Sequence, residues 1–577
     1  MTTHYTNESS PLLDLPALAA DPVSTREETH MAQLPVSRVL VPAMDGASAR
    51  EVDESVVAPA ERDYGTMAVA WVVAATAIRI VSMNPIPLGN GEAYYYSWSR
   101  FLGWSYYDHP PLIAWMVRLT TLFGHSPAAV RLGPILAAAA FGLLFYRLAE
   151  RLFRPRTAFF ALVIVTALPV FLATSFIVNP EAPMAPLWVA FLLSVEAMRR
   201  RNEWWRPLVA GAFLGLAFLA KYTAVLLVPA VVLYLALSPA NRRWLRRPSF
   251  YAGGAVALLL ATPVLAWNFA RNWPSIQLHL VERAGAGRPV AGENTVNQLV
   301  AVSSSDGSGL LQSLLRVLVG QLISYSPLLA PLLVAGLVRS LRRVWRDDRD
   351  LFLQAFTWPV LLPLLAAMTR FKDAEQHWTM VAFLPAVIAT ARFGDEGWDR
   401  LKAPKFLAFG GLGLSALLFL TAHLHFRTTA LVQAIPEAHY DPRADMINEL
   451  IGWDQVRAKV AQIASATPGQ VVLASNHYSM CGRLLFETGD APNVFCPTAR
   501  RSAFDFFGRH DIPANATAIV LTNDIHSELP AGVEGRSCSV VDQVDVERMG
   551  RRVARYFVQS CAPARAENVE RAALSSL

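Results

Sequence analysis

Residues 207–237 read PLVAGAFLGLAFLAKYTAVLLVPAVVLYLAL, a run whose single charged side chain is Lys221. As one α-helix it would extend roughly 46 Å at about 1.5 Å per residue, against a hydrocarbon core of about 30 Å. The run must therefore break, and two short crossings that turn at Lys221 are the reading that keeps the downstream charge pattern consistent. With a single crossing, the cluster Arg242, Arg243, Arg246 and Arg247 would fall on the opposite face from the other basic clusters.

Working outward, the whole chain of 577 residues is 53% hydrophobic and only 17% charged, too apolar for a soluble globule and too long for one core. Apolar runs at about 65–84, 127–150, 157–177, 183–198, 207–220, 222–239, 249–267, 309–337, 351–369, 379–392 and 405–423 are long enough to read as roughly eleven crossings, up to about thirteen. Basic clusters follow alternate crossings: Arg151, Arg154 and Arg156; Arg199, Arg200, Arg201 and Arg206; the Arg242–Arg247 group; Arg339, Arg342, Arg343 and Arg346; and Arg400, Lys402 and Lys405. All share one side if the N-terminus is cytoplasmic, so the net charge of +6 is positive-inside topology and no nucleic-acid partner is expected. The connections 85–126, 178–182, the turn at Lys221, 268–308 and 370–378 then face outward.

Residues 1–63 carry no sustained apolar period and read as a disordered cytoplasmic tail. Residues 64–425 form the membrane domain. After it, runs such as QVVLASN, PNVFCPT and ATAIVLTND alternate with polar helical segments, which predicts an extracytoplasmic α/β domain over 426–577. All four cysteines, Cys481, Cys496, Cys538 and Cys561, lie there. An oxidising compartment would pair them in one of three ways, and free thiols are the alternative.

The first outer connection carries LGNGEAYYYSWSRFLGWSYYDHPPLIAW, Leu88 to Trp115, which brings carboxylates, a histidine, two adjacent prolines and a bank of aromatic rings to one membrane face. With RLGPIL, NPEAPMAPLW, GLAFLAKYTAVLL, WNFARNWPSIQLHLVERA and RFKDAEQHW following in that order, residues 65–425 resemble the membrane glycosyltransferases that use lipid-phosphate sugars, the protein-mannosyltransferase and aminoarabinose-transferase group with the GT-C fold. The resemblance implies a multi-pass α-helical enzyme in the bacterial cytoplasmic membrane. It would move one sugar, with inversion, from a polyprenyl-phosphate donor to a lipid, glycan or protein acceptor at the outer face.

The chemistry matches the residue types. A sugar on a polyprenyl phosphate is already activated, so the enzyme has to orient an acceptor hydroxyl, take its proton and stabilise the departing phosphate. Glu92 is the leading base candidate. The family pattern at this place is an Asp-Glu pair in which the Asp is regarded as essential, and Gly91 stands in its position here. Either Glu92 or Asp108 takes over, or the reaction has changed or been lost. For Glu92 the plain alternative is a helix N-terminal charge, and for Asp108 and His109 a turn before Pro110.

Lys221 near bilayer depth costs roughly 2.5–3.5 kcal/mol on insertion scales and calls for a partner, which the resemblance makes the lipid phosphate; a snorkelling anchor is the alternative. Glu181 in NPEAP, where the family often has Asp, is a candidate for binding sugar or acceptor. Arg283 and Arg288 in a glycine-rich outer segment, and Arg370, Lys372, Glu375 and His377 in RFKDAEQHW, are further candidates for holding phosphate or sugar, with solvated loops as the alternative. The aromatic bank reads first as an interfacial belt, with sugar stacking by Tyr94 or Trp104 as the second reading.

The histidines are scattered without HExxH spacing, and no P-loop or strand-linked GxGxxG occurs, so no nucleotide cofactor is expected. A divalent cation held by carboxylates is the one cofactor the resemblance leaves open. Two other classes compete: a lipid-linked-sugar transporter or flippase, against which no internal repeat is found, and a non-catalytic lipid-sugar-binding homologue.

Overall fold

The computed structural model describes residues 63–564 apart from 84–85, 283–309, 372–373, 398–401, 429, 443–444 and 499. The expected tail, Arg283, Arg288 and Lys372 lie outside the described residues. The membrane part is built from α1 (Tyr64–Met83), the outer helices α2 (Asn90–Arg100) and α3 (Leu112–Thr120), α4 (Pro127–Leu152), α5 (Pro155–Ala167), α6 (Pro169–Thr174), α7 (Glu181–Arg200), α8 (Arg206–Ala220), α9 (Leu227–Leu237) and α10 (Pro248–Phe269). It continues through α11 (Leu310–Ser324), α12 (Ala330–Leu341), α13 (Asp348–Arg370), α14 (Leu384–Gly397) and α15 (Lys402–Thr428).

Among the described residues, six segments are long and apolar enough to cross a membrane: α1, α4, α7, α10, α13 and Lys405–Thr428 of α15. The protein is thus a multi-pass membrane protein, and shorter apolar helices accompany these six because several of the apolar runs are broken. The 157–177 run divides at Leu168, which is extended ahead of Pro169. The 309–337 run divides at Ser326, whose φ is +66°, just before Pro327. In both places the residue before a proline is kept out of the helical region. The 379–392 run begins as a 3₁₀ turn over Gln376–Phe383 before α14 starts.

The break expected at Lys221 is present. Its backbone is extended (φ −156°, ψ 138°), and a 3₁₀ turn over Tyr222–Leu226 leads into α9. Helix α8 packs so closely on α10 that a Cβ on Gly211 or Gly253 would strike the facing backbone. Gly211 and Gly215 are four apart, a small-residue stripe that lets two apolar helices approach where lipid offers no hydrophobic drive.

The C-terminal domain has a five-stranded sheet in the order β2-β1-β3-β5-β4. Strands β1 (Val471–Ser475), β2 (Val494–Phe495) and β3 (Thr517–Asn523) run parallel, and the hairpin of β4 (Cys538–Arg548) and β5 (Arg551–Cys561) adds antiparallel to β3. Helices α16 (Trp453–Ala466) and α17 (Tyr478–Glu487) accompany the sheet. Of the three open pairings, the structure has Cys481–Cys496 and Cys538–Cys561.

This domain is docked, not tethered. At Gly482 of α17 a Cβ would meet the backbone of Ala93 at 2.8 Å, and one apolar cluster joins Tyr94, Tyr96, Trp98 and Tyr106 to Cys481, Phe486 and Phe504. The aromatic bank is therefore largely a docking core rather than an interfacial belt; Trp104, 63% exposed, lies outside it.

Candidate active site

The two carboxylates of the first outer loop are held in opposite ways. Glu92 is 3% exposed, and Arg131 grips both its oxygens: Nε donates to Oε1 at 2.8 Å, and Nη2 donates to Oε2. The amides of Gly89 (2.9 Å) and Val178 (3.2 Å) complete the shell. Arg131 also donates to the carbonyls of Ile86 and Pro87, so the pair staples α4 and the start of α7 to the beginning of α2. Every lone-pair direction of Glu92 that faces the protein is in use, which suits a structural strut better than a proton acceptor.

Asp108 is half-buried and takes the Tyr94 hydroxyl on Oδ2 at 2.7 Å. Burial first, then the Asp108 charge, pushes the Tyr94 hydroxyl well above its ordinary value, so it remains a donor. The same oxygen accepts the Ala503 amide at 2.8 Å, tying Asp108 to the C-terminal domain. Tyr94 does not offer a face for stacking, because Tyr95, Trp98, Tyr478 and Phe504 surround its ring. His279 Nε2 lies 2.7 Å from the Asp108 carbonyl, the His109 ring is 5.9 Å from that of His279, and the Tyr107 hydroxyl donates to Glu282 at 2.8 Å. Beside them opens a cleft of about 420 Å³. Trp104 and Tyr107 of the outer loop, Trp267 and Arg271 at the end of α10, and Phe506 and Phe507 of the C-terminal domain line it.

A second cluster gathers four of the sequence candidates. Lys221, 6% exposed, is ion-paired with Glu181 Oε1 and sits 5.8 Å from the centre of the Trp378 ring. His377 reaches the same Glu181 oxygen at 3.0 Å and Glu375 at 3.0 Å. Burial opposes charge on His377, but Glu181 and Glu375 outweigh it and lift the imidazole above its ordinary value. Lys221 does find a partner, as its depth demanded, and that partner is a protein carboxylate. Glu181 Oε2 is buried without a hydrogen bond among the described residues, beside a small cavity of about 30 Å³ that Arg79 and Ser175 also line. Tyr222 bridges the clusters: it adjoins Lys221, its hydroxyl is 3.3 Å from Ser105, and its ring is 5.5 Å from that of His279.

Arg370 closes α13 at an exposed position. Sequence reasoning missed Arg79, Arg131 and Arg500. Arg79, in the first apolar run, bonds Ser175 at 2.8 Å and was findable as an intramembrane charge. Arg131 lies within the quoted RLGPIL motif. Arg500, whose charge acts on Tyr94 and Tyr107, comes from the C-terminal domain and had no signal. Among the described residues no group of three or more His, Cys, Asp or Glu side chains converges to hold a metal ion.

Residues 108–267 match the family model for dolichyl-phosphate-mannose-protein mannosyltransferase. The chain is 27% identical over 69% of its length to lipid A galacturonosyltransferase RgtD of Rhizobium johnstonii, covering 77% of that protein. It is 30% identical over 38% of its length to the undecaprenyl phosphate-alpha-4-amino-4-deoxy-L-arabinose arabinosyl transferase of Pseudomonas aeruginosa, spanning only 42% of it. In fold it is similar to the crystal structure of ArnT from Cupriavidus metallidurans in the apo state, with a TM-score of 0.56 at 15% identity, over 85% of this chain and 98% of that one. The undecaprenyl-phosphate-bound form of ArnT gives 0.54 at 14% identity, over 86% and 98% of the two chains. Along the membrane domain, then, the chain is similar in sequence to glycosyltransferases named for lipid-linked sugars, and over most of its length it shares the fold of ArnT.

Proposed function

We propose that the enzyme moves a single sugar from a polyprenyl-phosphate donor to a lipid acceptor at the outer face of the cytoplasmic membrane, with Asp108 as the base. The observation that carries this reading is the contrast between the two loop carboxylates: Glu92 is buried with both oxygens held by Arg131 and two amides, whereas Asp108 is only half-buried, accepts the Tyr94 phenol, and follows Tyr107, which lines the cleft. The acceptor hydroxyl attacks the anomeric carbon while its proton passes to Asp108. The bond from that carbon to the phosphate oxygen breaks, the phosphate keeps the electron pair, and the sugar inverts. Tyr94 orients the carboxylate. Lys221 and His377, already assembled around Glu181, supply the positive end that faces the departing phosphate.

The donor class is supported by the likeness to the Pseudomonas undecaprenyl-phosphate aminoarabinose transferase and by the undecaprenyl phosphate bound to ArnT, and the lipid acceptor by the likeness to the Rhizobium lipid A galacturonosyltransferase. A flippase would place its paired charges on a path through the bilayer; here the unusual polar groups gather at one face. The test is transfer of radiolabel from polyprenyl-phosphate sugars to extracted lipid in membranes that contain the enzyme. Label in the lipid fraction is expected. Donor binding without transfer to any lipid, glycan or protein fraction would overturn the reading.

A further inference from the structure

We infer that the carboxyl ends of the parallel strands in the C-terminal domain form an anion subsite, in which His477, Arg500 and the start of α17 receive a phosphate group of the ligand. In the order β2-β1-β3 the chain leaves β1 toward β2 on one side and returns as β3 on the other. A parallel sheet opens a crevice at such a reversal, outside the carboxyl ends of its strands. The residues placed there are Asn476 and His477 directly after β1, Arg500 after β2 and His526 after β3.

Two of these side chains, Asn476 and His477, carry unfilled hydrogen-bonding atoms. The His477 and His526 rings stack with centroids 4.1 Å apart. His477 Nδ1 is 2.7 Å from the Ser479 hydroxyl, and Nε2 is buried with no partner. Asn476 gives its amide to the carbonyls of His526 (3.3 Å) and Glu528 (2.6 Å), while its Oδ1 is buried and unpartnered. Buried polar atoms are seldom left so without a cost, which a ligand would relieve. Helix α17, ten residues long, starts at Tyr478 with no side-chain cap, so its first-turn amides and their partial positive charge point at the same place. The Arg500 guanidinium stands 5.7 Å from the centre of the Tyr478 ring.

The donor set selects the chemistry. Burial, with His526 and Arg500 adding to it, pushes His477 down to about 3, so the imidazole is neutral near pH 7. In the tautomer that takes the Ser479 hydroxyl as donor to Nδ1, Nε2 carries the hydrogen and is the atom that would face the anion. A neutral N–H, a guanidinium and a helix N-terminus together suit a tetrahedral oxyanion and repel a cation. The nearby carboxylates of Asp524 and Glu528 belong to exposed residues.

The subsite also adjoins the reaction site. His477 contacts Tyr478 (4.5 Å between ring centres), Tyr478 contacts Tyr94 (4.5 Å), and Tyr94 holds Asp108. On the reading of function above, the phosphate is one carried by the acceptor, bound while its hydroxyl reaches Asp108.

The test needs no transfer assay, so it stands or falls separately from that reading. Binding of inorganic phosphate, and of dioctanoyl phosphatidic acid as a phosphate-bearing lipid, is measured on the full-length protein in detergent, with acetate at equal ionic strength as the control. Saturable binding is expected, weakened about tenfold or more in His477→Phe and in Arg500→Ala, the loss of a hydrogen bond to a charged group. His477→Gln, which keeps an N–H, should recover part of it. Binding of the lipid but not of free phosphate would identify a headgroup as the source, and binding of both a general phosphate site. Unchanged affinity in His477→Phe and Arg500→Ala of wild-type thermal stability, equal binding of acetate, or no saturable binding to wild type would each overturn the inference.

Discussion

At the scale of single residues, a carboxylate read from the sequence can be a strut or a reactive group, and only its surroundings in the fold separate the two. Lys221, Glu181, Glu375 and His377 come from three separate segments, and their meeting in one cluster was foreshadowed only by the rule that a charge at bilayer depth needs a partner. Glu92 and Asp108 were both legible as candidates. What separates them is Arg131, 39 positions from Glu92 in the chain, a long-range pairing that no local pattern encodes. His477 carries a pH prediction. Its folded value near 3 lies below the ordinary 6.5, so between those limits the unfolded chain binds more protons than the folded one. Stability therefore falls as the pH drops from about 6.5 toward about 3. His477→Phe, with nothing to titrate, should flatten the plot of unfolding midpoint against pH over that window; an unchanged slope would show that the acid sensitivity comes from elsewhere.

At the scale of elements, apolar runs were easy to find and their breaks were harder. The turn at Lys221 followed from the length of its run and from the charge pattern after it, whereas the division at Ser326 comes from a proline effect in a run, 309–337, that reads as one crossing although it too is long for one. The aromatic bank of α2 misled for a related reason: rings at a membrane face and rings in a docking core have the same composition, and the difference is the presence of α17. Two predictions belong here. Gly211→Val should cost about 3 kcal/mol or more by forcing α8 off α10, while Gly254→Val, where a Cβ meets nothing within 4 Å, should leave the thermal midpoint in detergent nearly unchanged; equal effects would remove the close approach from the account. Replacing Cys481 and Cys496 together by serine frees a loop with a sequence separation of 15. That should destabilise the C-terminal domain by about 3 kcal/mol in the chain-entropy picture, seen as a lower unfolding midpoint without reductant and no difference from wild type with it.

At the scale of the whole molecule, the membrane architecture with a C-terminal sheet domain was readable from hydropathy and from the change of composition after residue 425. The way that domain sits on the outer loop was not, since contacts such as Tyr96 to Asp490 (2.7 Å) span most of the chain. On the proposed topology the basic clusters face the cytoplasm and the disulfide-bearing domain faces the other side. A cysteine at exposed Asp524 should therefore react with an impermeant maleimide in cells with a permeabilised outer envelope, and one at exposed Arg242 only after lysis; the reverse pattern would invert the topology. The central claim, that the proton acceptor is Asp108 and that Glu92 is a strut, is tested most directly by comparing Asp108→Asn and Glu92→Gln in sugar transfer from a polyprenyl-phosphate donor, with thermal stability measured alongside. Asp108→Asn should keep wild-type stability and lose about 10²–10⁴-fold in rate. Glu92→Gln should lose about 3–5 kcal/mol of stability as Arg131 is left without its charge partner, with transfer by the folded fraction largely retained. Full activity in Asp108→Asn, together with a stable but inactive Glu92→Gln, would contradict it.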